Sequence, residues 1–293
     1  MSDYHVHLHP HSPLPGSPPM GEYPAGYIDS FVEAAAARGV TELGFTEHLY
    51  RCVEAADALG TWWTREANLR LRAEFEEMII NERNLSMARY VDVVLDAKAR
   101  GLPVKLGLEV DFQPGTEAAI LDLIAPYPWD FLVGSVHWIE GWDFMHSGAA
   151  EELERRGVEL AWRQYFALET QLASAGMVDV LAHSDVIKLT GLRPEPAVIE
   201  KLYGPLVLAA AASGVAVEVS SSGLRRPVME AYPSPRLLTM FNAAGVPITL
   251  ASDAHTPDMA GWRHDEVVAA ARAAGYSEHL RFEGRRRVPR AFD

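Results

Sequence analysis

An alternation of two periodicities constrains this chain more than any other feature. Short apolar runs rich in β-branched residues predict seven strands, at Asp3–Leu8, Thr41–Thr46, Val104–Phe112, Phe131–His137, Val178–His183, Val215–Ser220 and Pro247–Ser252. Segments with helical spacing predict helices at Ala25–Arg38, Met87–Arg100, Glu117–Ala125, Glu151–Ala175, Pro196–Ser213, Pro235–Ala244 and Asp265–Ala274. Gly39, Gly101, Gly176, Gly214, Gly245 and Gly275 follow them, where a residue without Cβ takes the left-handed turn that ends a helix. Strands alternating with helices predict parallel βα units in an α/β fold, either a barrel or an open doubly wound sheet. No glycine-rich phosphate loop follows a strand, which disfavours a dinucleotide-binding sheet. Residues 1–293, 48% of them hydrophobic, suit one barrel-sized domain. Pro10 to Pro24 reads as a loop, and the polar stretch Glu54–Ser86 as a helical insertion after the second strand, a candidate lid.

The chemistry lies at the strand ends. The chain opens "DYHVHLHPHS", and His5 and His7, two apart on a strand, point the same way. Later runs end in "FTEH" with His48, "GLEVD" with Glu109, "GSVHW" with His137, "LAHSD" with His183, and "ASDAH" with Asp253 and His255. Each element alone has an ordinary explanation. A single histidine after a strand is more often a surface or core residue, and "SDAH" alone reads as a capped turn. Glu109 weighs more, because a carboxylate in an apolar run needs a partner. Together they argue for a metal centre, since the C-terminal ends of parallel strands converge on one face. Imidazole with carboxylate and no thiolate suits Zn, Fe, Mn or Co. The candidates exceed what one ion takes, so two or three divalent ions are expected, with Glu109 as a bridge.

The motifs "DYHVH", "TEH", "GLEVD", "GSVHWIEGW", "LAHSDVIK", "EVSSSGLRRP" and "SDAH", in this order from Asp3 to His255, resemble the PHP (polymerase and histidinol phosphatase) family, in particular its histidinol-phosphate phosphatase branch. The resemblance implies a distorted (β/α)7 barrel with a trinuclear metal centre. His5, His7, Glu109 and Asp253 would hold the first ion; Glu109, His137 and His183 the second; His11, His48 and His255 the third. The family's further N-terminal histidine falls at Pro13 here, which binds no metal. His11 takes its place, with His9 as the rival and expected bystander.

The implied reaction is hydrolysis of L-histidinol phosphate to L-histidinol and phosphate, in histidine biosynthesis. A bridging water of lowered pKa would supply the attacking hydroxide, with Asp253, His255 and His183 as the catalytic set. Lys188, Arg225, Arg226 and Arg51 are candidate phosphate cations. Trp138, Trp142, Glu47 and Asp185 are candidates to read a cationic amino alcohol, although both tryptophans also read as core. His146, His264 and His279 have no strand-end placement and read as structural or surface residues, and "GRRRVPR" as a solvated run.

Net charge of −14 argues against a nucleic-acid partner. A single cysteine, Cys52, allows no intramolecular disulfide. Neither a signal peptide nor a membrane-length apolar run is visible, so a cytoplasmic enzyme on a small phosphorylated metabolite is expected. Competing readings are a PHP phosphoesterase on another ester, an amidohydrolase-type metal hydrolase, and an inactive PHP scaffold. The sequence leaves the oligomeric state open.

Overall fold

The computed structural model describes residues 1–292. In chain order its elements are β1 (Ser2–Val6), α1 (Tyr27–Ala36), β2 (Glu42–Phe45), α2 (Ala56–Leu59), α3 (Leu69–Glu82), α4 (Met87–Ala99), β3 (Val104–Leu106), β4 (Glu109–Asp111), α5 (Glu117–Ile124), β5 (Val133–Ser135), β6 (Trp138–Ile139), β7 (Trp142–Asp143), α6 (Ala149–Arg156), α7 (Val158–Ala175), β8 (Val180–Leu181), α8 (Pro196–Ser213), β9 (Ala216–Ser220), α9 (Pro235–Ala243), β10 (Ile248–Ala251), α10 (His264–Ala273), β11 (Glu278–Glu283) and β12 (Arg286–Ala291).

The expected βα alternation is present as two parallel sheets, β1-β2-β3 and β10-β9-β8-β5-β4. Single bridges join them at two seams, Val6 to Ala254 and His48 to Glu109. At these seams the His7 N–H donates to the Ala254 carbonyl at 2.7 Å and the Glu109 N–H to the Glu47 carbonyl at 3.0 Å. The ladder is not continuous around the described residues. The run Val104–Phe112, expected as one strand, divides between the two sheets at Gly107 and Leu108. Phe131 lies against the backbone there: a Cβ on Gly107 would sit 2.6 Å from its ring, and one on Gly44 of β2 2.5 Å away.

Local chemistry explains most boundaries. The Asn68 side chain accepts the Arg70 and Leu71 N–H groups and starts α3, and Ser86 accepts from Arg89 at α4. Glu151–Ala175, expected as one helix, breaks at Gly157, whose φ of 94° no helix continues. The segment after β2 is built from short 3-10 turns, α2 and α3. The hairpins β6–β7 and β11–β12 were not anticipated.

Most of the buried apolar side chains form one cluster. A second, containing Tyr4, Phe131, Val133, Val180, Ala216, Leu280 and Phe282, ties four strands of the two sheets to the C-terminal hairpin. The basic run belongs to that hairpin, and Arg286, Arg287 and Arg290 are exposed on its outer strand. His264 and His279 are both buried, away from the strand ends. No helix is long and apolar enough to cross a membrane among the described residues.

Gly44→Ala is expected to destabilise the protein by about 1–3 kcal/mol, because the added methyl overpacks the Phe131 ring. The denaturant midpoint of the metal-free protein measures this, and an unchanged midpoint would show the contact to be slack. His264 gives a pH dependence. Burial, then the chain amino group and His279, lower its pKa from 6.5 to about 4. The unfolded chain therefore binds a proton first as pH falls. The stability held by neutral His264 is present above about pH 6.5 and is lost towards pH 4, by roughly 3 kcal/mol. His264→Phe should flatten the unfolding free energy over that window relative to wild type; superimposable slopes would contradict it.

Candidate metal centre and active site

Glu109, wholly buried at the start of β4, organises the site. Its Oε1 lies 3.4 Å from the Nε2 atoms of both His137 and His183. Its Oε2 lies 3.3 Å from His5 Nε2, 3.5 Å from His7 Nε2 and 2.7 Å from His48 Nδ1. The two oxygens of one carboxylate thus face two different groups of imidazoles. Asp253 Oδ1 completes the first group, 3.8 Å from His5 Nε2 and 3.5 Å from His7 Nε2, which are themselves 3.0 Å apart.

His48 and His255 extend the cluster. His7 stacks between them, with ring centroids 4.3 and 4.2 Å away. Atoms close enough to share an ion fall into the sets His5–His7–Asp253, His5–Glu109–His183, His7–His48–His255 and His48–Asp111–His137. His5 lies in β1 and Glu109 and Asp111 in β4; His7 follows β1, and His48, His137, His183, Asp253 and His255 follow β2, β5, β8 and β10.

The donor set fits divalent cations. Both Glu109 oxygens, both His48 nitrogens, Nδ1 of His7 and His183, and Nε2 of His255 are buried without a hydrogen-bond partner. Each such orphan costs about 1–3 kcal/mol, and cations held among these groups would satisfy several of them. Their charge states agree with that role. Burial would raise the Glu109 pKa, but His48, His5 and His137 overcome it and hold the carboxylate ionised. Asp253 is held low in the same way by His5, His7 and His255. Burial keeps His48 and His255 neutral, as ligands must be. The backbone is strained here too: Asp253 and His183 take φ of 54° and 22°.

The four N-terminal histidines separate. His5 and His7 enter the cluster. His9 does not: its Nδ1 lies 3.1 Å from Glu47, and its Nε2 meets the Glu22 carbonyl and the Gly21 N–H. His11 stands at the rim, its ring 4.6 Å from His255 and 5.2 Å from His48, with Arg51 on its Nδ1 at 2.8 Å.

The cluster floors a cavity of about 560 Å³. Arg225 and Arg226 line it; Lys188 and Arg51 do not. Lys188 Nζ is buried, 2.6 Å from Glu230, 2.9 Å from the Ala231 carbonyl and 3.0 Å from Asp185. Arg51 is buried behind His11, held by Glu82 at 3.0 Å and the His9 carbonyl at 3.1 Å. Nearness to a strand end places a backbone, not the direction of a long side chain. Arg225 differs from both: Nη2 donates to the Asp253 carbonyl, while its buried Nη1 has no partner.

The expected substrate-reading set is also redrawn. Glu47 accepts the Leu8 N–H, Asp185 accepts the Ser234 N–H, and Trp142 is buried under Arg156. Trp138 does line the cavity, with Met78, Met145, Glu82, Asp143 and His146. His146, read from sequence as structural or surface, is therefore a wall residue. Asp111, whose Oδ1 lies 3.0 Å from His137 Nδ1, and Glu218, 2.7 Å from His5 Nδ1, were not singled out. "GLEVD" does carry Asp111, two residues beyond Glu109 on the same strand face; Glu218 gives only the weak signal of a lone acid inside the apolar run of β9.

Known proteins resemble this chain over most of its length. The PHP domain family model matches residues 3–222. The protein named "Probable histidinol-phosphatase" in Deinococcus radiodurans is 32% identical over 268 residues, covering 91% of this chain and 92% of that protein. A protein of the same name in Schizosaccharomyces pombe is 26% identical, covering 80% and 77%. The crystal structure of histidinol phosphate phosphatase from Lactococcus lactis, complexed with zinc, L-histidinol and phosphate, superposes with a TM-score of 0.64 at 22% identity over 98% of each chain. This chain belongs to the PHP family.

Proposed function

We propose that this chain is a metal-dependent phosphomonoesterase that hydrolyses L-histidinol phosphate to L-histidinol and phosphate. One observation carries the reading: a single buried carboxylate, Glu109, faces two imidazole groups through its two oxygens, on the floor of a cavity that also holds Arg225 and Arg226. The names of the relatives support the substrate. We read the two sheets as parts of one distorted barrel, seven-stranded when β3 and β4 are taken as one divided strand, whose strand ends supply the ligands.

His5, His7, Glu109 and Asp253 would hold one divalent ion and Glu109, His137 and His183 a second, with His48, His255 and His11 at a third. Zinc suits this donor set, as do iron and manganese. Bound there, such ions supply Lewis-acid charge and lower the pKa of coordinated water. The chain's own groups do the rest. Arg225, with its unpartnered Nη1, and Arg226 bind phosphoryl oxygens. Asp253, held ionised, orients the attacking water in line with the ester bond, and His183 and His255 line the floor beside it. Elsewhere in the lining, Trp138, Met78 and Met145 give apolar surface, and Glu82 and Asp143 give negative charge. That lining suits a leaving alcohol that carries an imidazole and an ammonium group.

Phosphate release measures the assignment. kcat/KM for L-histidinol phosphate should exceed that for p-nitrophenyl phosphate by at least about 100-fold, equivalent to about 2.7 kcal/mol of leaving-group binding in the transition state. Chelation should abolish turnover, and added divalent metal restore it. Equal rates on the two esters would reject the substrate, and chelator-resistant turnover would reject the metal reading. The cations separate by a second experiment. Arg225→Ala should raise KM or lower kcat/KM by about 10- to 100-fold, the loss of a charge-assisted hydrogen bond. Lys188→Ala should lower thermal stability and leave KM near wild type. The opposite pattern would exchange their roles.

A further inference from the structure

Glu218 sits in the middle of β9 and is 1% exposed, with neither oxygen open to the cavity. Its Oε2 accepts the His5 Nδ1–H at 2.7 Å. Its Oε1 accepts the backbone N–H of His183 at 2.8 Å. His5 belongs to the imidazole group facing Glu109 Oε2, and His183 to the group facing Oε1. One carboxylate behind the cluster therefore grips a ligand from each half of it.

We propose that Glu218 is a positioning residue that sets both halves of the metal centre together, by fixing the ring of His5 and the backbone of His183. The inference rests on the metal-dependent reading above. Two physical effects combine. A carboxylate on Nδ1 keeps the proton there and leaves the Nε2 lone pair facing Glu109, His7 and Asp253. His183 has a φ of 22°, which a residue with a Cβ adopts only when its surroundings hold it there. A charge-assisted bond to its N–H is such a hold, and it aims the ring so that Nε2 meets Glu109 at 3.4 Å. The rings of His5 and His183 stack at 5.7 Å, so movement of either one disturbs the other. Asp111 is a different case: its Oδ1 serves His137 and its Oδ2 the Tyr50 N–H, so it supports one ligand only.

The test uses Glu218→Gln in the full chain. The amide matches the size of the carboxylate but keeps one acceptor oxygen, so it satisfies one donor and presents N–H groups to the other. Zinc affinity is read by competition with a chelator, and the melting temperature is read with and without zinc. Zinc affinity should fall by about 10- to 100-fold, and the gap in melting temperature between zinc-loaded and zinc-free protein should shrink. Wild-type zinc affinity in the variant would overturn the proposal. So would an equal drop in melting temperature with and without zinc, because that marks a purely structural residue. If Glu218→Gln does not fold, Glu218→Asp is read by the same criteria: it keeps the charge but is one methylene too short to reach both donors. Wild-type protein that binds no zinc would instead defeat the metal-dependent reading itself, and the two failures are thereby distinguished.

Discussion

A carboxylate buried without a hydrogen bond is among the least favourable objects a fold can contain, and this one is organised around it. Glu109 lies at the seam between the two sheets, where its N–H is bonded to the backbone of Glu47 while both side-chain oxygens have no hydrogen-bond partner. The compensation nearby is the ring of imidazoles from His5, His7, His48, His137 and His183. A divalent cation between these groups would turn an electrostatic liability into a set of bonds.

The scaffold keeps that arrangement rigid by placing further carboxylates behind it. Asp3, at the start of β1, accepts the N–H groups of Ser252 and Gly261 and binds the strand to the segment that carries Asp253 and His255. Glu47 accepts the Leu8 N–H and holds the chain just beyond His7. Asp111 steadies His137. These acids face donors on the segments that follow neighbouring strands and do not line the cavity. A net charge of −14 is thus a poor guide to the site, whose cavity is lined by Arg225 and Arg226 as well as by acids.

The far end of the sheets is closed by a different means. Leu280 and Phe282 of the C-terminal hairpin pack with Tyr4 and Phe131, and the Phe282 N–H donates to the Tyr4 hydroxyl at 3.0 Å. Tyr4 and His5 are adjacent in β1, so one strand joins this apolar plug to the metal cluster. Gly44 and Gly107 let the Phe131 ring reach the backbone, and the strand that was expected to run unbroken through Gly107 divides there.

Much of this was legible in the order of residues. The βα alternation and the histidines and acids at strand ends follow from backbone periodicity: it sets which residues share a face, and parallel strands bring their C-terminal ends to one side. The motifs that resemble the PHP family lie at those positions, and their histidines and acids are the ones that gather around Glu109. Other features depend on contacts between residues far apart in the chain. His9 has the same strand parity as His7, yet Glu47 and the backbone at Gly21 and Glu22 occupy it. Lys188 and Arg51 follow ligand motifs as closely as Arg225 follows its own, yet Glu230, Asp185 and Glu82 draw their long side chains into buried ion pairs. Glu218 is one acid in an apolar strand until β1 and β8 pack beside it. Sequence by itself determined which histidines and acids stand at the strand ends, because strand geometry repeats every two residues. Tertiary structure alone decided which of them face the cavity and which serve those that do, because a flexible or buried polar side chain goes to whichever partner the fold brings within hydrogen-bonding distance.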